Sequence, residues 1–358
     1  MEKNEFSKKM IDILNSGALN LALAIGYKVG LFDVMAALTA PATVTAIANR
    51  SRMNSRYIEE WLGIMSSGGI VELTMTGDTP HYFLPREHSS FLSRDSKNGN
   101  LGVYTQEIPL LTTCAMDKLI EAFRTGDGIP YSQYPKFQSF MTELADAKHR
   151  KTLIQKFLPT VCDGKIVQRL TEGIRVCDVG CGGGTVLLLM ADAFPKSSFF
   201  GIDILPEVIN KARQQADEEG ISNVRFLVRD SAKLEQDPDL EGVFDYITAF
   251  DAIHDQPSPL EALKGIHHML SSTGVFSMID IRSESQQAAN LNHPMAPFLY
   301  TVSLLHCTPV GLVNDGMGLG MMWGRQKALR MLREAKFTEI EVFEMKDDPF
   351  NFHYQCRA

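Results

Sequence analysis

The chain has 358 residues, 44% of them hydrophobic and 22% charged, with 43 acidic against 35 basic side chains and a net charge of −8. That length exceeds the usual size of a single core, so two domains are expected, and the acidic balance gives no general attraction to nucleic acid or to an anionic membrane. Six scattered cysteines without CxxC spacing read as reduced thiols, the N-terminus lacks the apolar core of a signal peptide, and no apolar run reaches bilayer-spanning length, so the cytoplasm is the expected compartment.

Residues 18–38 carry apolar side chains at helical spacing (Leu19, Leu23, Val29, Phe32), and residues 43–49 and 54–67 form two short helical segments, the second stopped by Gly68 and Gly69. The runs from Ile70 to Thr74 and from His81 to Leu84 flank a Gly-Asp turn and predict a two-stranded hairpin. Helix, helix and hairpin make a winged helix, mainly α, over residues 1–94. The usual partner of such a module is DNA. Here residues 1–92 hold eight Lys/Arg against nine Asp/Glu, and the helix that would enter a groove carries Glu59, Glu60 and Trp61, which repel phosphate. The apolar stretch from Leu19 to Leu38 exceeds what a small domain needs for its own core, so a homodimer through this domain is expected.

Residues 95–170 read as a mostly helical connector, broken at Gly126–Pro130, whose tyrosines Tyr104, Tyr131 and Tyr134 either pack or line a ligand pocket. An α/β sheet follows. Its first strand ends in Asp178 and runs into a loop with Gly180, Gly182, Gly183 and Gly184. Glycine tolerates positive φ and lacks a Cβ, so a ligand can lie on main-chain N–H groups where the next helix begins. The second strand, Phe199 to Ile202, ends in Asp203, placed to accept hydrogen bonds from both hydroxyls of a ribose. The third, Val224 to Val228, leads to Asp230 and Ser231, and the fourth, Phe244 to Phe250, to Asp251. Polar groups therefore recur at successive strand tips, where open α/β sheets bind ligands. A nicotinamide dinucleotide loop read from Gly180 would need glycine at position 185, which is Thr185.

A helix opens at Ser258-Pro259-Leu260-Glu261, with an N-cap serine, proline at the first helical position and glutamate at the third. That leaves His254 and Asp255 in a loop at the fourth strand tip, whereas His267 and His268 fall on the helix as solvated or packed residues. The strand Val275 to Ile281, a helix from Gly324 to Ala335 and two strands, Glu339–Glu344 and Phe352–Cys356, complete the chain. Between them lies a long insertion, residues 283–323, and long loops in compact domains tend to be lids. Its Met321, Met322 and Trp323 line a pocket, or Trp323 anchors the last helix. No His-x₃-His pair or carboxylate cluster stands at metal-ligand spacing, so no metal is expected.

The pattern Asp-x-Gly-x-Gly-x-Gly from Asp178, followed by Asp203 and Asp230 at the next strand tips, resembles motif I and its partner acids in the class I S-adenosylmethionine (SAM) methyltransferases. With the winged helix, nearly the whole chain is similar to the plant and bacterial small-molecule O-methyltransferases and to the mycobacterial-type winged-helix methyltransferases. The resemblance implies a Rossmann-like sheet of seven strands with the last antiparallel, and a SAM-binding domain over residues 171–358. It implies SAM as cofactor, S-adenosylhomocysteine as product and no metal. Cofactor contacts would come from Asp178, Gly180, Gly182, Asp203, Ile204, Asp230, Ser231 and Phe250, and acceptor contacts from Tyr131, Met322 and Trp323. In the O-methyltransferases a His-Asp pair after the fourth strand supplies the catalytic base, and His254-Asp255 matches it. The tryptophan that usually follows is Gln256 here, so His254 is expected to act as base or else to pack or position the substrate. The expected activity is methyl transfer to the oxygen or thiol sulfur of a small, partly apolar acceptor, with nitrogen less favoured. A SAM-sensing transcriptional regulator and a SAM-binding protein without transfer activity are the other readings. The expected partners are a small-molecule acceptor and a second copy of the chain, not nucleic acid or membrane.

Overall fold

Two units, residues 1–110 and 111–358, divide the chain in a computed structural model that describes residues 3–95 and 100–358. In the first, α1 (Lys3–Lys28) is followed by α2 (Leu31–Ala36). The sequence predicts one helical stretch over 18–38; Gly30, at φ 78°, enters the left-handed region and divides it. α3 (Val44–Ser51) and α4 (Ser55–Ser67) are capped by the side chains of Thr43 and Asn54, which accept from the N–H groups of Ala46 and Arg56. β1 (Glu72–Thr76) and β2 (Thr79–Phe83) pair antiparallel across Gly77 at φ 59°, and α5 (Arg86–Leu92) follows. The hairpin starts at Glu72 rather than Ile70, because the N–H groups of Ile70 and Val71 both return to the Met65 carbonyl at the end of α4.

Trp61 belongs to the core of this unit, its indole N–H donating to the Ala22 carbonyl at 2.9 Å and its ring edge-on to Phe32. α1 carries exposed apolar side chains: Phe6, Ile11, Ile13 and Leu14 are all more than half exposed. By length and composition α1 could cross a membrane, and 22% of its apolar window is buried. This corrects the expectation that no run is long enough; Asp12, Asn15, Ser16 and Asn20 interrupt the apolar string on paper but not the helix.

α6 (Glu107–Thr125) leads into the second unit, where α7 (Phe137–His149) and α8 (Lys165–Glu172) precede the sheet. β3 (Arg175–Val179), α9 (Thr185–Ala193), β4 (Ser198–Asp203), α10 (Pro206–Glu218), β5 (Val224–Val228), β6 (Phe244–Phe250), α11 (Pro259–Met269) and β7 (Leu270–Ile281) alternate as a doubly wound α/β fold. The insertion is not a bare loop. It forms α12 (Ala296–Val302), a π-turn at Ser303–Cys307 and α13 (Thr308–Gly311), since Leu299, Val302 and Leu305 recur at helical spacing and are buried. α14 (Arg325–Glu334), β8 (Glu339–Glu344) and β9 (Asn351–Arg357) close the sheet.

The strand order is β5-β4-β3-β6-β7-β9-β8. The five strands β3 to β7 run parallel, and β9 lies between β7 and β8, antiparallel to both, as expected for the seventh strand. One face packs on α8, α9 and α10 through Leu170, Leu187 and Ile209, the other on α11 and α14 through Leu263, Ile266 and Leu332. The strand order reverses between β3 and β6, and a crevice at the carboxyl ends of such strands is the ligand edge of an open α/β sheet.

Candidate functional site

At that edge the chain leaves β3 through Gly180 (φ 77°), Gly182 (φ 50°) and Gly184 (φ 79°). A Cβ on Gly180 would lie 2.5 Å from the Ala252 Cβ, and one on Gly184 would lie 2.6 Å from the Phe226 ring, but at Gly182 nothing stands within 4 Å. Two glycines thus hold the loop against the sheet while the third faces open space. Gly180→Ala combines a left-handed φ with a collision against the Ala252 Cβ, so it should cost about 1–3 kcal/mol and lower the thermal midpoint measurably. A calorimetric scan superimposable on that of the parent would contradict this.

Asp203 fastens the loop. Its Oδ2 accepts the Gly182 N–H at 2.9 Å and its Oδ1 the Leu205 N–H at 3.0 Å, while the Ile202 carbonyl accepts from Gly180 and Cys181 at 2.8 and 3.0 Å. Ile204, beside it, is 54% exposed. At the next tip Asp230 accepts the Ala232 N–H at 3.1 Å, and the Ser231 hydroxyl donates to the Gln256 side-chain carbonyl, tying β5 to the loop after β6. Asp178 sits deeper than the others. It is buried within the sheet, the Thr248 hydroxyl donates to its Oδ1 at 2.7 Å, and burial lifts its pKa to about 7. Phe250 turns its ring edge-on to His149 and Phe157, at 4.9 and 5.6 Å. α7 rests on the loop from outside, with the Thr185 hydroxyl donating to Asp146 at 3.1 Å. Beyond it, Lys148 bridges Asp251 and Asp348, each at 2.9 Å.

His254 lies at the tip of β6 and is 1% exposed. Its Nδ1 is 2.7 Å from Asp280 Oδ1, an oxygen that also accepts the Trp323 indole N–H at 3.0 Å and the Ile281 N–H at 2.8 Å. Its Nε2 is 3.3 Å from Asp255 Oδ1. Asp280 is the partner that sequence reasoning missed, although it is one more acid at a strand tip. Burial would lower the His254 pKa, but the Asp280 and Asp255 carboxylates outweigh it and hold it well above the ordinary value. Asp255 Oδ2 accepts from the Tyr131 hydroxyl at 3.2 Å and stands 3.7 Å from His306 Nδ1. The π-turn presents His306 and Cys307 together here, as such turns often do at functional sites. Burial pushes His306 down to about 4, leaving it neutral among the rings of Tyr131, Tyr134 and Phe137. His254, Asp255 and Cys307 bring three donor atoms within 4.8 Å of one another, a meeting hidden from chain spacing.

Tyr131 and Trp323 therefore join the His254 network, Trp323 while packed in the same core as Ala328 and Leu332 of α14. Met322 packs apart from them, with Ile281 and Leu299.

Residues 170–336 match the methyltransferase domain family, and residues 17–94 match the Rv2258c-like winged HTH domain family. The ubiquinone biosynthesis O-methyltransferase of Actinobacillus pleuropneumoniae serotype 5b (strain L20) is 33% identical over 111 residues, which are 30% of this chain and 47% of that protein. The chain thus spans about half the length of this curated relative. Among solved structures, PigF with S-adenosylhomocysteine superimposes with a TM-score of 0.71 at 20% identity, covering 100% of both chains. Human N-acetylserotonin methyltransferase in complex with SAM gives 0.70 at 18% identity, covering 100% of this chain and 99% of that one. At such identities the likeness is one of fold.

Proposed function

We propose that this chain, with a methyltransferase domain at residues 170–336 behind a winged HTH domain at residues 17–94, transfers the methyl group of SAM to a small-molecule acceptor through oxygen or thiol sulfur. The observation that carries the reading is the Asp203 clamp on the glycine loop: an acid at the β4 tip, both oxygens on backbone N–H groups, beside Gly182 facing open space. Each carboxylate oxygen keeps a further lone pair for a ribose diol. Ile204, Asp230 and Ser231 would flank an adenine, Gly180 and Gly182 would offer backbone, and Asp178 and Phe250 would support the edge from below. SAM, when bound, supplies a methyl already activated on a sulfonium, so the chain needs to place a nucleophile, exclude water and take a proton where the acceptor requires it.

His254 is the residue for that proton. Its Nδ1–H donates to Asp280, leaving Nε2 as the basic nitrogen, and Asp255 stabilises the imidazolium that forms. Tyr131, Trp323 and Met322 would bound the acceptor, with the helical insertion of residues 283–323 as its cover and residues 95–170 as the connecting wall. A screen of phenols, thiols and amines with labelled SAM tests the reading; binding of SAM with no methyl transferred to any of them would overturn it. The pH profile carries a sign. Because the carboxylates raise the His254 pKa, phenol methylation should increase with pH through a value above the ordinary histidine range. Asp280→Asn removes a negative charge that favours the imidazolium, so the acid limb should move to lower pH. A limb that stays in place would assign it to another group.

The winged helix serves dimerisation in this reading and not DNA contact. Arg56 of α4 is engaged by Glu59 and Glu60, and α1 presents exposed apolar side chains. The full chain should sediment as a dimer at micromolar concentration, and Ile11→Asp combined with Leu14→Asp should leave a folded monomer. A monomeric parent would contradict this. The six cysteines, all free, suit the reducing cytoplasm as its setting.

A further inference from the structure

A cavity of about 280 Å³ opens between the end of α7, the tips of β6 and β7 and the segment joining β8 to β9. Its apolar walls come from Phe157, Phe250, Ile279, Phe343 and Met345. Most charges around it are engaged: Lys148 with Asp251 and Asp348, Lys156 with Asp347 at 2.7 Å, and Glu344 with Arg282 at 2.8 Å. Lys346 stands on the outer segment. Two histidines reach the cavity, and they differ. His353 is already hydrogen-bonded, through Nε2, to the Ser277 hydroxyl at 2.9 Å. His149 is 7% exposed, lies edge-on to Phe250, and makes no side-chain hydrogen bond among the described residues. Burial, helped by the Lys148 ammonium, pushes its pKa down to about 3, so the ring is neutral and carries one N–H and one lone pair. A neutral imidazole with no side-chain partner among the described residues, on the wall of this cavity, is free to bond a ligand.

We propose that this cavity is a second small-molecule site, built for an uncharged two-ring aromatic molecule that packs among Phe157, Phe250 and Phe343 and donates a hydrogen bond to His149. A cavity of roughly 150 Å³ accepts benzene, so the volume here suits a fused bicycle. The site goes beyond the methyl-transfer reading: His254, Asp280, Asp203 and the glycine loop do not line it, and Phe250 is the wall it shares with the sheet edge.

The test is calorimetric titration of the full chain, without SAM, using indole as the probe. One saturable site is expected, with a dissociation constant below about 1 mM. 1-Methylindole, which lacks the donor, should bind roughly three- to tenfold more weakly, and His149→Leu should abolish that difference. Phe343→Ala lies on the half-exposed edge strand β8, where folding is not at stake, and should weaken both probes alike. Absence of saturable binding, affinities unmoved by both substitutions, or tighter binding of indole-3-carboxylate than of indole would each overturn the proposal. Methyl transfer is not read in this experiment, so its failure would leave the transfer reading in place.

Discussion

His254→Ala should lower kcat for a phenolic or alcoholic acceptor by about 10²–10⁴ while SAM affinity stays nearly unchanged. The loss should depend on the acceptor. A phenol must be deprotonated as it attacks, whereas a thiol of low pKa already exists in part as thiolate and needs little help. Single-turnover rates with a phenol and an acidic thiol, measured side by side, separate the two roles. Equal and small losses for both would show that His254 packs or positions and that proximity alone carries the reaction. The setting of the ring makes a large effect the expected one, since a histidine held by Asp280 on one side and Asp255 on the other is oriented as well as basic. Truncation to alanine also leaves Asp280 Oδ1 with the Trp323 and Ile281 N–H groups as partners, so the site should remain folded.

Asp203→Ala should weaken SAM binding at least tenfold. Loss of a charge-assisted contact to the ribose diol costs about 1.5–3 kcal/mol, and the same substitution frees the Gly182 and Leu205 N–H groups that now hold the loop. Asp203→Asn distinguishes the two contributions, because the amide oxygen can still accept one backbone N–H but cannot serve both as before. Titration calorimetry of both variants, beside their thermal midpoints, reads affinity and loop integrity separately. An unchanged dissociation constant in Asp203→Ala would remove this carboxylate from the site.

The sheet and the glycine loop were legible because each parallel strand is a short apolar run and each tip carries a polar group. The ribose acid needed only that pattern and a spacing. The partner of His254 did not follow from it. Asp280 lies 26 residues further along the chain, and what brings it beside the histidine is the parallel register of β6 with β7, in which Phe250 faces Ile279. No local spacing encodes that register, so the adjacent Asp255 looked like the natural partner. His306 and Cys307 escaped for a related reason: they stand in an insertion that reads as a loop until its buried side chains are seen to recur as a helix. Asp178 shows the opposite case, a residue legible by motif whose carboxylate is committed to Thr248 inside the sheet. Gly30 shows how one left-handed residue divides a helical pattern that periodicity alone runs together.

The position of β9 has a consequence for folding. It is the last strand in sequence, yet it lies inside the sheet with its residues buried, pairing β7 on one side and β8 on the other. Until residues 351–357 have docked, β7 has a bare lateral edge and β8 lacks the strand it pairs with. Bare edges of this kind invite intermolecular strand addition. Closure of this sheet therefore waits on a strand that follows both of its neighbours in the chain, and a partly folded chain in which β9 has not docked is open to strand addition at β7.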